Sequence, residues 1–129
     1  MDKNALIMDI GRLIASDPGV DAAPWDGYAL IASYADGSRR LSGFRYRDDA
    51  APEPATPDGA ALLGERFDAL RAATRVADKA PWSACVMKIR RDTGRFAVDF
   101  EYDAPDRWDI GPDNVLEIAE RARPAAESP

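Results

Sequence analysis

Residues 82–102 read WSACVMKIRRDTGRFAVDFEY, and no other stretch restricts the fold as much. Cys85, Met87 and Ile89 fall on one parity, with Val86, Lys88 and Arg90 on the other. After Asp92-Thr93-Gly94, the residues Phe96, Val98, Phe100 and Tyr102 again share a parity, with Ala97, Asp99 and Glu101 between them. A period of two on both arms of a glycine-containing turn is the pattern of a β-hairpin, because successive strand side chains point to opposite faces. Setting Arg91 opposite Phe96 brings Ile89 to Val98, Met87 to Phe100 and Cys85 to Tyr102, which gathers the apolar residues on one face. The same register sets Lys88 across from Asp99 and Val86 across from Glu101.

The flanking segments supply what this hairpin packs on. Leu6, Ile7, Ile10, Leu13 and Ile14 form an apolar stripe at helical spacing over residues 2–16, and Asp17-Pro18-Gly19 ends it. Residues 25–35 and 38–47 flank Asp36-Gly37, a pair suited to a type I′ turn. The apolar residues of this first hairpin occupy both parities, so its inward face stays open. Residues 48–58 carry three prolines and predict a loop within the domain. From Asp58 to about Asp78, Leu62, Leu63, Phe67, Leu70 and Ala73 recur at helical spacing, with Thr56 or Asp58 as candidate cap. Residues 112–123 predict a short helix burying Val115, Leu116 and Ile118, with 124–129 expected to fray. The expected fold is α+β: one domain over residues 1–129, a single layer of antiparallel sheet built from two hairpins, helices packed on one face, order α-β-β-α-β-β-α. The expected core joins Leu6, Ile10, Phe67, Leu70, Cys85, Met87, Ile89, Val98 and Phe100, with Trp25 and Trp82 beside them.

Composition narrows function by what the chain has to work with. It contains no histidine and one cysteine, so Ser-His-Asp and Cys-His catalysis, zinc sites and an internal disulfide are not available to it. Cys85 alternates with Met87 on the apolar face and reads as a buried structural thiol. No glycine-rich phosphate motif occurs, and Gly37 and Gly94 are turn residues. No catalytic residue, metal or cofactor is expected. No apolar run spans a bilayer and the N-terminus lacks a secretory pattern, so a cytoplasmic protein is expected.

Charge is concentrated at one end. The net charge of the chain is −6, yet residues 99–120 carry eight acids against Arg107 alone, a net −7 that leaves the remainder at +1. Direct nucleic-acid binding there would be repelled by phosphate. Three roles fit Asp99, Glu101 and Asp103 on one strand face: ligands for a hard cation, a solvated face in which Asp99 pairs with Lys88, or a surface for a basic protein. The third accounts best for Asp106, Trp108 and Asp109 following directly, with Trp108 either an interface anchor or a lid on the core.

The stretch from Ala80 to Asp103 resembles the YezG-type antitoxin and immunity proteins: a Trp-led strand, a polar-glycine turn, a strand of Phe-x-Val-x-Phe-x-Tyr-Asp type, then an acidic segment with a further tryptophan and a terminal helix. Trp82, Gly94, Phe96, Asp99, Phe100, Tyr102, Asp103 and Trp108 carry the likeness, which covers roughly residues 80–110. The resemblance implies a non-enzymatic immunity protein that neutralises a cognate toxin C-terminal domain, often a basic nuclease delivered between competing bacteria. Its expected partner-binding residues here are Asp99, Glu101, Asp103, Asp106, Trp108 and Asp109, with no membrane involved. The rival readings are a small-ligand-binding α+β domain and an adaptor or chaperone for a secreted protein.

Overall fold

The computed structural model describes residues 2–34, 39–47, 50–75, 79, 81–91, 93–102, 108, 110 and 113–124. Its elements are helix α1 (Lys3–Ala15), strands β1 (Gly27–Ser33), β2 (Arg40–Tyr46) and β3 (Glu53–Pro54), helix α2 (Ala60–Ala73), strands β4 (Ala84–Arg90) and β5 (Phe96–Glu101), and helix α3 (Val115–Arg121). The five strands form one antiparallel sheet in the order β3-β2-β1-β4-β5. The α+β class holds, and the two hairpins meet where β1 pairs with β4. The strand count does not: the proline-rich stretch expected to be loop contributes the two-residue β3, paired to Phe44 and Arg45.

β1 lies at the centre of the sheet, and all seven of its residues are buried. Tyr28, Leu30 and Ala32 face one core while Ala29 and Ile31 face a second. This is why the first hairpin showed no single apolar parity. The first core gathers Leu6, Ile10 and Ile14 of α1, Leu63, Phe67 and Leu70 of α2, and Trp25, Trp82, Cys85, Met87 and Ile89, with Val98 and Phe100 partly buried against it. The expected core residues do come together. The second core lies on the opposite face, where Trp108, Ile118, Ala119 and Ala122 cover Ala29, Ile31, Phe44, Tyr46, Ala84 and Val86. Helices are therefore not confined to one face: α1 and α2 cover the first and α3 the second.

The second hairpin keeps its expected faces in a different register. Ile89 pairs with Phe96, Met87 with Val98 and Cys85 with Phe100, a slip of two residues from the pairing that puts Arg91 opposite Phe96. An even slip leaves every side chain on its own face, so face alternation alone does not distinguish the two registers. The turn does. Gly94 has a φ of 70°, and its N–H donates to the Arg90 carbonyl at 2.9 Å while Arg90 N–H donates to Arg95 at 3.1 Å. The left-handed residue thus closes the loop immediately before Arg95, a position that favours glycine.

Three further expectations are corrected. Neither Thr56 nor Asp58 caps α2. Asp17, more than forty residues upstream, accepts from the N–H groups of Gly19, Val20 and Asp58 on one carboxylate oxygen and of Gly59 on the other, at 2.8–3.3 Å. Leu116 is 65% exposed, and Ala119 and Ala122 are buried in its stead, because α3 approaches a sheet face already filled by Tyr46, Phe44 and Trp108. Pro124 is buried rather than frayed, with its ring beside Gly27, while 125–129 lie outside the described residues.

Candidate functional site

β5 is an edge strand, and its two faces differ in chemistry. Phe96, Val98 and Phe100 turn toward α1 and Trp82, with the Phe100 and Trp82 rings 5.5 Å apart. Asp99 and Glu101 lie on the other side, the side of α3. Asp99 pairs across the ladder with Val86, and Glu101 with Ala84. The Lys88–Asp99 ion pair expected from direct opposition forms diagonally instead, at 3.2 Å, because Lys88 itself stands opposite Ala97. The Asp99 side chain remains 59% exposed in this pair. The Glu101 carbonyl accepts from Ser83 N–H at 2.7 Å and from the Ser83 hydroxyl at 3.1 Å, which ties the end of β5 to the start of β4.

Between this acidic face and α3 runs a cleft of about 310 Å³, lined by Lys88, Asp99, Phe100, Glu101, Trp108 and Arg121. Trp108 forms part of its wall from within the second core. Only 7% of its surface is exposed, and the Arg121 guanidinium sits 5.7 Å from its ring centre. Of the two roles open to Trp108, a lid on the core is the one observed. Asp103, Asp106 and Asp109 lie outside the described residues. The structure therefore brings together Asp99, Glu101 and Trp108, with Lys88 as the cationic neighbour expected from the strand pairing and Arg121 as one that strand periodicity gave no reason to single out. Arg121 belongs to the site only through the return of α3 over the sheet, a tertiary fact with no local signal.

Other polar clusters have structural explanations. The Tyr34 hydroxyl donates to Asp68 at 2.7 Å, Arg39 pairs with the same carboxylate, and Arg71 lies 4.4 Å over the Tyr34 ring. Burial, reinforced by Asp68, pushes the Tyr34 hydroxyl up and keeps it protonated. Near the other end of the sheet a cleft of about 560 Å³ is bordered by Asp21, Trp25, Asp26, Arg47 and Arg91. There Arg91 pairs with Asp21 at 3.0 Å and lies 4.9 Å over Trp25. Burial, with a smaller contribution from Asp99, also pushes the Cys85 thiol up, as suits a structural cysteine. Among the described residues no group of three or more acids, cysteines or histidines is placed to hold a metal ion. Among the same residues no helix is long and apolar enough to cross a membrane. Compared with protein-family models and with curated proteins, the chain matches none.

Proposed function

We propose that this protein is an immunity protein: it binds and neutralises a cognate bacterial toxin domain by covering a basic surface, and it acts by binding, not catalysis. The observation that carries this reading is where the charge lies. A segment of net −7 over residues 99–120 begins on an exposed edge strand, while the rest of the chain is near neutral. Like charges gathered on one surface repel one another and lower the stability of the compact state, so a basic partner is their natural complement. Such a surface also steers association with a positively charged cleft of the kind nucleases carry. The resemblance of residues 80–110 to YezG-type immunity proteins supports the same reading.

Within it, Asp99 and Glu101 contact the partner together with Asp103, Asp106 and Asp109, while Trp108 acts from the core by fastening its part of the acidic segment to the sheet. The test is to co-express any toxin-like domain found in a neighbouring gene with wild-type protein and with the Asp103→Asn, Asp106→Asn, Asp109→Asn triple variant. Wild type is expected to restore growth and bind the toxin, and the folded triple variant to bind more weakly. Absence of both binding and protection by the wild type would sink the immunity reading. Full protection by the triple variant would remove those three residues from the interface.

A further inference from the structure

We infer that the outer edge of β5 is completed by a strand of the partner, and that this strand alternates basic with apolar residues. The inference rests on the toxin-binding reading above and adds the geometry of contact. Among the described residues no strand flanks β5 on its outer side. Two hydrogen bonds fix how the ladder alternates: Arg90 N–H to the Arg95 carbonyl at 3.1 Å, and Tyr34 N–H to the Ser83 carbonyl at 2.8 Å. Within β4, Cys85, Met87 and Ile89 therefore direct their backbone groups to β1, and Ala84, Val86, Lys88 and Arg90 direct theirs to β5, while Ser83 just before the strand splits between them, its carbonyl toward β1 and its N–H on Glu101. In β5 the bonded residues are Ala97, Asp99 and Glu101, which leaves the N–H and C=O groups of Phe96, Val98 and Phe100 pointing outward. The opposite edge is blunted, since β3 has two residues and one is Pro54. β5 has six and no proline.

The side chains bordering this edge specify the occupant. Asp99 and Glu101 lie about 7 Å apart on the α3 side, the spacing of alternate residues in an extended chain. Val98 and Phe100 are half-buried on the other side, and Tyr102 just beyond them is 51% exposed. A strand added here meets carboxylates with one set of alternate side chains and apolar surface with the other. Lysine or arginine in the first set and valine-like residues in the second complement both. A second copy of this chain is disfavoured as occupant, because its own β5 brings the same carboxylates.

An NMR titration of the isotope-labelled full chain tests this, with a synthetic peptide of alternating lysine and valine as probe. A control peptide carries glutamate in place of lysine. Saturable shifts at Phe96, Val98 and Phe100 amides are expected with the lysine peptide, and roughly tenfold weaker binding of the glutamate peptide. Val98→Pro removes one outward N–H without touching the bonds to β4, and is expected to weaken lysine-peptide binding by a similar factor. Asp99→Lys, at an exposed position, serves if the proline variant unfolds, and is expected to reverse the preference between the two peptides. Shifts confined to other surfaces, no saturable shift at millimolar peptide, or unchanged binding by the folded variants would overturn the inference. So would a concentration-dependent dimer of the protein alone formed through β5. Undiminished toxin binding by folded Val98→Pro would likewise overturn the strand geometry while leaving the immunity role standing.

Discussion

The two faces of the sheet are closed in different ways. The first is covered by α1 and α2, of 13 and 14 residues, over a core with the buried aromatic side chains of Trp25, Tyr28, Phe67 and Trp82 and a dense set of aliphatic side chains. The second is covered by the seven-residue α3 and by Trp108, and its rim is ionic: Lys88, Asp99, Glu101, Arg121 and Arg123 border it. The first face holds the fold together, with close fits such as the Phe96 ring against Gly11, where any Cβ would collide with the ring. The second mixes a modest core with charge, and it is there that the proposed partner surface lies. On the proposed reading, stability and recognition are divided between opposite sides of one sheet.

That division predicts where damage should fall. Phe67→Ala empties a fully buried position of the first core and is expected to cost roughly 3–5 kcal/mol in chemical denaturation. A loss under about 1 kcal/mol would mean that the first face does not carry the fold. Asp17→Ala comes next. It leaves four backbone N–H groups without their acceptor, among them the start of α2, and should cost roughly 2–4 kcal/mol.

The same residue gives the first face a pH dependence. Burial raises the Asp17 pKa, but its four N–H donors outweigh that and hold it below the ordinary 3.8. A carboxyl lowered in the folded state stabilises the protein above its unfolded pKa, and that contribution is lost as pH falls through the folded value. Wild type should therefore lose stability below about pH 4 more steeply than Asp17→Asn. Parallel acid titrations of the two proteins would refute this assignment. On the second face, Tyr46→Phe removes a 2.6 Å hydrogen bond to the Ala119 carbonyl and leaves that carbonyl buried, at a cost of about 1–2 kcal/mol. Protection of α3 amides from hydrogen exchange should fall while that of α1 and α2 is unchanged. Equal loss on both faces would erase the contrast.

How far the sequence discloses this arrangement depends on how local each signal is. The faces of β4 and β5 are legible because alternation is a property of adjacent residues. Their register is not, since a two-residue slip preserves every face and only the left-handed Gly94 decides between the pairings. β1 defeats parity because it is buried on both sides. The α2 cap is illegible for another reason: Asp17 reaches it through the tertiary fold, whereas Thr56 and Asp58 were merely near in sequence. For the candidate site, Asp99 and Glu101 stand out by charge and period. The role of Trp108 does not, because a tryptophan among acids suits an anchor and a core lid equally until α3 is seen to cover it. Lys88 enters as a cross-strand partner of Asp99, and Arg121 only through the packing of α3.

Recruitment of a basic partner by the acidic edge on the second side is testable by stopped-flow association with the cognate toxin domain that the co-expression test identifies. Wild type and an Asp99→Asn, Glu101→Gln variant would be compared at about 0.02 M and 0.3 M salt, where charge screening differs strongly. Raising salt is expected to slow wild-type association about tenfold or more, and the variant to associate more slowly at low salt with a shallower salt dependence. Association rates that are the same for both proteins and indifferent to salt would contradict it.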